Sequence, residues 1–275
     1  MATELVRDGT VARTRRISGS QRMALAVFAW LDERFRIRRG AAAIEKFYYQ
    51  INLQLPRSHT EKYKLRSIWY WYPMYTLGSI SLLAFLIAAI SGVLLTLYYI
   101  PSTTAYVPGQ GTDLGPVLEP KASIAWQSVG NLMLNVPFGF MIRAIHFWAA
   151  MVMVAAVFLH MFRTYLTQAY KKPRELNWFV GVVLFLLTIL LGYSGYLLPW
   201  SQLSYWAATI GLEMSNASPI IGKWLAAMLF GGTQLGAATV TRMYVLHVIL
   251  LPMITFGVIA LHIAIVWLQG IAEPH

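Results

Sequence analysis

The chain has 275 residues, of which 57% are hydrophobic and 12% charged, with a mean hydropathy of +0.55; a soluble domain carries about a quarter charged residues, so this is a polytopic membrane protein. The absence of cysteine excludes disulfides, thiolate metal sites, iron–sulfur clusters and thioether-linked prosthetic groups. The net charge of +11 is concentrated in residues 1–66, with fourteen Lys/Arg against six Asp/Glu, and in residues 163–174, with four more Lys/Arg, which is the bias of cytoplasmic segments and not a nucleic-acid surface.

Residues 1–20 are polar and basic. No apolar core with a small-residue cleavage site follows them, so no cleavable signal peptide is expected. Residues 21–39 alternate apolar and charged positions at roughly helical spacing and are too charged to span. They predict an amphipathic helix lying in the membrane interface or packed on another subunit. Residues 44–72 end in Trp69, Tyr70, Trp71 and Tyr72, a belt suited to headgroup depth. Four apolar stretches follow, at 74–99, 140–165, 178–198 and 243–268, each near the ~20 residues a spanning helix needs. The expected fold is an all-α membrane protein: a bundle of four transmembrane helices with an interfacial helix before it. The domain division is 1–72, basic extension; 73–270, bundle; 271–275, short tail.

The connection 165–177 is short and carries Lys171, Lys172 and Arg174, which places it on the cytoplasmic, negative side and both termini with it. The connections 101–139 and 200–242 are long and near neutral and fall on the positive side. Within the second, residues 201–230 read as short interfacial helices.

The second span holds His146 and His160, fourteen residues apart; in an α-helix that is nearly four turns, so both rings leave one face about 21 Å apart. The fourth holds His247 and His262, fifteen apart, about 22 Å. Both spans run from the positive to the negative side, so His146 is matched in depth with His247 and His160 with His262. Such histidines can serve local hydrogen bonds between helices, or two facing imidazoles can take the axial positions of a haem iron. Gly78 and Gly92 on the first span, and Gly181 and Gly195 on the third, repeat the fourteen-residue interval. Bare Cα atoms there suit either helix packing or clearance for a flat macrocycle. Arg143, Arg163 and Arg242 bracket the histidines; guanidinium groups fit haem propionates bidentately or reach for lipid headgroups. The stretch 192–207, with Tyr196, Pro199 and Trp200, brings aromatic and hydroxyl groups to the depth of His146 and His247, where a quinol could dock.

The segments RAIHFW at 143–148, LHMFRTYLT at 159–167, KKPREL at 171–176, GYSGYLLPW at 192–200, TRMYVLH at 241–247 and LQG at 268–270 resemble the cytochrome b subunit of Rieske/cytochrome b complexes, most closely its split, plastid-type form. The resemblance covers about residues 30–270. It implies two non-covalent b haems ligated by the pairs His146/His247 and His160/His262, with quinone and quinol as substrates. It also implies a Rieske iron–sulfur protein, a c-type cytochrome and a subunit with the remaining helices as partners, in a dimeric complex in the bacterial cytoplasmic membrane. Two positions depart from the plastid type: Thr76 stands where that form has a haem-anchoring cysteine, and Trp267 where it has an arginine. No covalent extra haem is therefore expected. Rival readings are the dihaem anchor of another respiratory oxidoreductase, such as a nitrate reductase, and a transporter with a histidine proton relay.

Overall fold

The computed structural model of the protein describes residues 19–35, 74, 76–109, 113–119 and 121–269. The aromatic belt at 69–72, the first eighteen residues and the C-terminal tail lie outside the described residues. Among those described the chain is helical, with one isolated antiparallel bridge between Ala105 and Ser123. The helices are α1 (Gly19–Phe35), α2 (Leu77–Thr96), α3 (Ile124–Leu134), α4 (Gly139–Leu166), α5 (Glu175–Leu197), α6 (Gln202–Asn216), α7 (Gly222–Phe230), α8 (Ala237–Val245) and α9 (Leu251–Gln269), with a π-helical turn at Leu246–Leu250 between α8 and α9.

Four units are long and apolar enough to cross a membrane: α2, α4, α5 and the continuous run Ala237–Gln269. In hydrocarbon every backbone N–H must find its acceptor within its own segment, so an uninterrupted apolar run becomes helix. The protein is an integral membrane protein. The closest-packed pairs are α2 with α4 and α5 with α9. The bundle is thus two antiparallel halves, α2/α4 and α5/α9, each bringing one glycine-bearing and one histidine-bearing helix. Where they meet at mid-depth lie Ala84 and Phe85 of α2, Met153 of α4, Leu187 and Leu191 of α5 and Leu251 of α9.

At the upper end, defined by His146 and His247, a second core gathers Leu197, Ala208, Leu212, Ala226, Phe230 and Met243. It is built by α6 and α7, the short helices expected in 201–230. Ser201 caps α6 by accepting from the Ser204 N–H, a standard way to satisfy a first-turn donor. Tyr99 ties the end of α2 to this layer: its hydroxyl donates to the Leu198 carbonyl at 2.6 Å, and its ring stacks on Tyr244 with centroids 5.5 Å apart.

One helix lies in what the sequence presented as a plain connection. α3 starts at Ser123, whose side chain accepts from the Trp126 N–H, and it supports the segment before it through Gln127. That side chain is fully buried. Its Nε2 donates to the carbonyls of Pro116, at 2.7 Å, and Leu114, at 3.3 Å, while its Oε1 accepts from the Leu118 N–H. One amide therefore satisfies three backbone groups of a loop that has no ladder of its own.

At the lower end, α1 is clamped by its last turn. Arg34 is 6% exposed, pairs with Glu33 at 2.9 Å and Glu175 at 3.2 Å, and lies over the Trp30 ring. The Gln269 amide donates to the Arg34 carbonyl and to that of Pro173. The apolar side chains of Met23, Leu25 and Val27 remain exposed.

Replacing Gln127 with Ala orphans three loop groups, at about 1–3 kcal/mol for a buried polar group left unpaired. Amide hydrogen exchange across 101–123 should accelerate markedly in the purified protein, with α4 and α5 unchanged. Unaltered protection of Leu118 would count against this role for Gln127.

Candidate cofactor site

Each of the four histidines faces one glycine on the other helix of its own half. A Cβ added to Gly92 would lie 3.1 Å from His146 Cε1, one on Gly78 3.3 Å from His160 Cε1, one on Gly195 2.5 Å from His247 Cε1, and one on Gly181 3.6 Å from His262 Cε1. The bare Cα thus admits the imidazole itself, and Gly195 is the position with least room. What these glycines face in the structure is the imidazoles; clearance for a macrocycle is the expectation from spacing.

The carbonyls explain why the ring sits there. His146 Nδ1 lies 2.9 Å from the Ala88 carbonyl, four residues before Gly92. The Leu191 carbonyl, four before Gly195, lies against His247, and that of Asn177, four before Gly181, lies against His262. A residue and the one four before it stack on the same helix face. Where the upper residue lacks a Cβ, an incoming ring N–H can reach the carbonyl below it. Carbonyl oxygen only accepts, so His146 Nδ1 carries the proton and Nε2 keeps its lone pair for a metal.

At the upper end the rings of His146 and His247 are 6.1 Å apart between centroids, with planes at 81°. They do not stack. An imidazole nitrogen sits about 2 Å from a bound metal, so an iron between two axial imidazoles separates their ring centroids by roughly 6 Å. At the lower end His160 and His262 lie within electrostatic reach of each other, and their Nδ1 atoms are buried with no side-chain hydrogen-bond partner. No cluster of three or more His, Asp or Glu able to hold a bare metal ion occurs among the described residues. Two imidazoles fall short of the four protein or water ligands of a zinc site, but they complete an iron already held by four macrocycle nitrogens. The donor set therefore fits haem.

The unequal histidine intervals are reconciled by the π turn, which contains His247. A π-type turn inserts one residue without advancing the helix face, so fifteen residues with it present the same face as fourteen without it. Its cause lies in the sequence: Pro252 has no N–H for the Val248 carbonyl and its ring crowds that turn. Pro252 is thus the mark in the sequence of the widened turn.

The arginines are placed unequally. Arg143 and Arg163 are half-buried one turn from their histidines, whereas Arg242 is exposed and donates through Nη1 to the Met228 carbonyl at 3.1 Å. That uses one of five guanidinium N–H donors. Tyr196 is exposed. Trp200 instead packs edge-on against Tyr205 at 5.8 Å and borders the upper core. Trp267 is 64% exposed, so its indole is turned away from the chain's own core.

The geometry agrees with the family comparison. Residues 110–270 match the family model described as Cytochrome b/b6/petB. Cytochrome b6 of Heliobacterium mobile is 42% identical over 200 residues, covering 73% of this chain and 85% of that relative. Cytochrome b6 of Gracilaria tenuistipitata var. liui is 35% identical over 248 residues, covering 90% of this chain and 98% of the relative. Among solved structures, a chain of a hyperthermophilic respiratory Complex III matches with a TM-score of 0.60 and 33% identity over 73% of this chain; this chain spans about half, 49%, of that one. The chain belongs to the cytochrome b/b6 family.

Proposed function

We propose that this chain is the dihaem, four-helix half of a quinol:cytochrome c reductase, carrying electrons from quinol oxidised at the positive side to quinone reduced at the negative side. The observation that carries the reading is the facing of His146 and His247 at 6.1 Å, with His160 and His262 within electrostatic reach of each other at the other end of the bundle. When bound, haem supplies one-electron redox chemistry at each depth. His146 and His247 ligate at the upper end, His160 and His262 at the lower. Gly78, Gly92, Gly181 and Gly195 let those rings dock on helix carbonyls, and Arg143, Arg163 and Arg242 offer guanidinium donors to propionates.

On the orientation argued from Lys171, Lys172 and Arg174, the upper end is the positive side and the termini are cytoplasmic. The stretch holding Tyr196, Pro199 and Trp200 lies at that end, and we assign it to the quinol-binding wall. A Rieske iron–sulfur protein, a c-type cytochrome and a subunit with further helices complete the complex as partners. In support, this chain spans only 49% of the respiratory Complex III chain it matches. The interfacial placement of α1 rests on its exposed Met23, Leu25 and Val27. Thr76, without a thiol, leaves no anchor for a covalent third haem.

A pyridine haemochrome assay on the purified chain should return about two haem b, extractable into acid acetone. A value of zero overturns the reading in favour of a histidine relay, and a value of one removes the transmembrane route.

His160→Leu should lower that count from about two to about one and leave the upper-end spectrum intact, because His146 lies about 21 Å away along α4. Loss of both haems from a folded, membrane-inserted protein would contradict independent sites.

The glycines should differ in tolerance. Gly195→Ala puts a methyl 2.5 Å from His247 and should empty the upper site, whereas Gly181→Ala makes an ordinary 3.6 Å contact with His262 and should retain haem. Equal haem content in the two variants would refute the contact as the reason for glycine.

A further inference from the structure

The two ends of the bundle differ in one respect that symmetry does not require. At the upper end, the residue before each glycine is a serine: Ser91 before Gly92 and Ser194 before Gly195. Both are buried, at 5% and 2% exposure. Ser91 Oγ lies 3.3 Å from His146 Nδ1, and Ser194 Oγ lies 3.2 Å from His247 Nδ1. At the lower end the corresponding residues are Leu77 and Val180, which carry no hydroxyl, so no serine faces the Nδ1 of His160 or His262.

The direction of these hydrogen bonds follows from counting protons. A serine hydroxyl has one. Ser91 Oγ lies 2.6 Å from the Ile87 carbonyl and 3.1 Å from that of Ala88; Ser194 Oγ lies 2.8 Å from the Leu190 carbonyl and 3.2 Å from that of Leu191. The proton goes to the nearer carbonyl, one helical turn back, as buried helix serines commonly do. The oxygen then turns a lone pair toward the histidine, whose Nδ1 already carries a proton. His146 thus directs its N–H at two acceptors, the Ala88 carbonyl and the Ser91 hydroxyl, and His247 directs its own at the Ser194 hydroxyl with the Leu191 carbonyl close by.

We propose that Ser91 and Ser194 are paired positioning residues that make the upper site bind the oxidised form of its haem more tightly than the lower site does, setting the reduction potentials of the two apart. Acceptors on the far side of a metal-bound imidazole fix its ring and raise its basicity. A more basic axial ligand favours ferric over ferrous iron and lowers the reduction potential. The inference rests on the dihaem reading above.

The test is a redox titration of the purified complex, following the α-band. The components are assigned to the two ends with His160→Leu as the reference that keeps only the upper site. Ser91→Ala and Ser194→Ala should each shift the upper component toward the reduced form by about two- to tenfold in the reduction equilibrium, tenfold being 59 mV for one electron. The lower component should stay within twofold. Ser91→Thr and Ser194→Thr, which keep the hydroxyl, should titrate as wild type. Val180→Ser, which supplies the missing acceptor beside His262, should move the lower component toward the oxidised form.

Ala variants with both haems present and both components unmoved overturn the proposal, as does an equal shift of the two components. Haem loss in the Ala variants with wild-type titration in the Thr variants supports it; haem loss in the Thr variants too reduces the serines to packing and overturns it. Wild-type protein without a b-type α-band would instead sink the dihaem reading itself.

Discussion

The structure depends on an imidazole lying against a bare Cα. Four times a histidine ring lies against a glycine, most tightly at Gly195 and with ordinary contact distance at Gly181, and at three of them the carbonyl four residues before the glycine, of Ala88, Leu191 or Asn177, lies beside the ring. In hydrocarbon an unpaired ring N–H is costly, and a helix normally hides its carbonyls behind its own side chains. Glycine removes that cover. The same contact draws α2 onto α4 and α5 onto α9, which is why the bundle forms as two tight halves with the histidines turned toward the seam between them. Helices in lipid gain little from burying apolar surface on each other, so such polar contacts decide which faces meet.

The fold was largely legible because hydropathy and charge act over twenty-residue windows: the first three spans end within three residues of their expected bounds, while the fourth begins at Ala237, six residues before its expected start. The pairing of histidines by depth followed from helix direction alone. The contacts of Gly92 and Gly195 were legible as intervals and not as contacts, since spacing locates a face without saying what lies on it. Ser91 and Ser194 were invisible for a related reason: a serine inside an apolar helix usually bonds its own backbone, and only the ring opposite gives it a second role. Gln127 and α3 were missed because an eleven-residue helix amid loop residues leaves no span-length signal. The clamp on Arg34 joins residues 141 positions apart, and no local pattern foretells it.

Pro252 shows how a local defect can serve the global plan. Proline in a helix interior costs about 3 kcal/mol unless the freed carbonyl is accommodated, and here the chain widens into the π turn that carries His247. The extra residue absorbed there is the same one that makes the second histidine interval longer than the first. Without it, fifteen residues would rotate His262 by some 100° relative to the face defined by a fourteen-residue interval, and His262 would leave Gly181. The proline and the longer interval therefore compensate each other, and neither is interpretable alone.

The asymmetry of the two ends has an energetic logic on the proposed orientation. The sites are separated by about 21 Å along the helices, roughly two thirds of a ~30 Å hydrocarbon core. Moving one charge across the full core against the membrane potential costs about 2.3 kcal/mol per 100 mV, so transfer between the sites costs about 1.6 kcal/mol per 100 mV. An electron entering at the positive side and leaving at the negative side moves against that field. Two chemically identical sites would stall it. Hydroxyl acceptors confined to the upper end weaken electron affinity at the donor site and leave the acceptor site untouched, which is the sign required. A mirror-image placement, with serines before Gly78 and Gly181, would add to the opposing field. Two hydroxyls on the α2 and α5 glycine faces thus supply a direction that the near-symmetric backbone lacks.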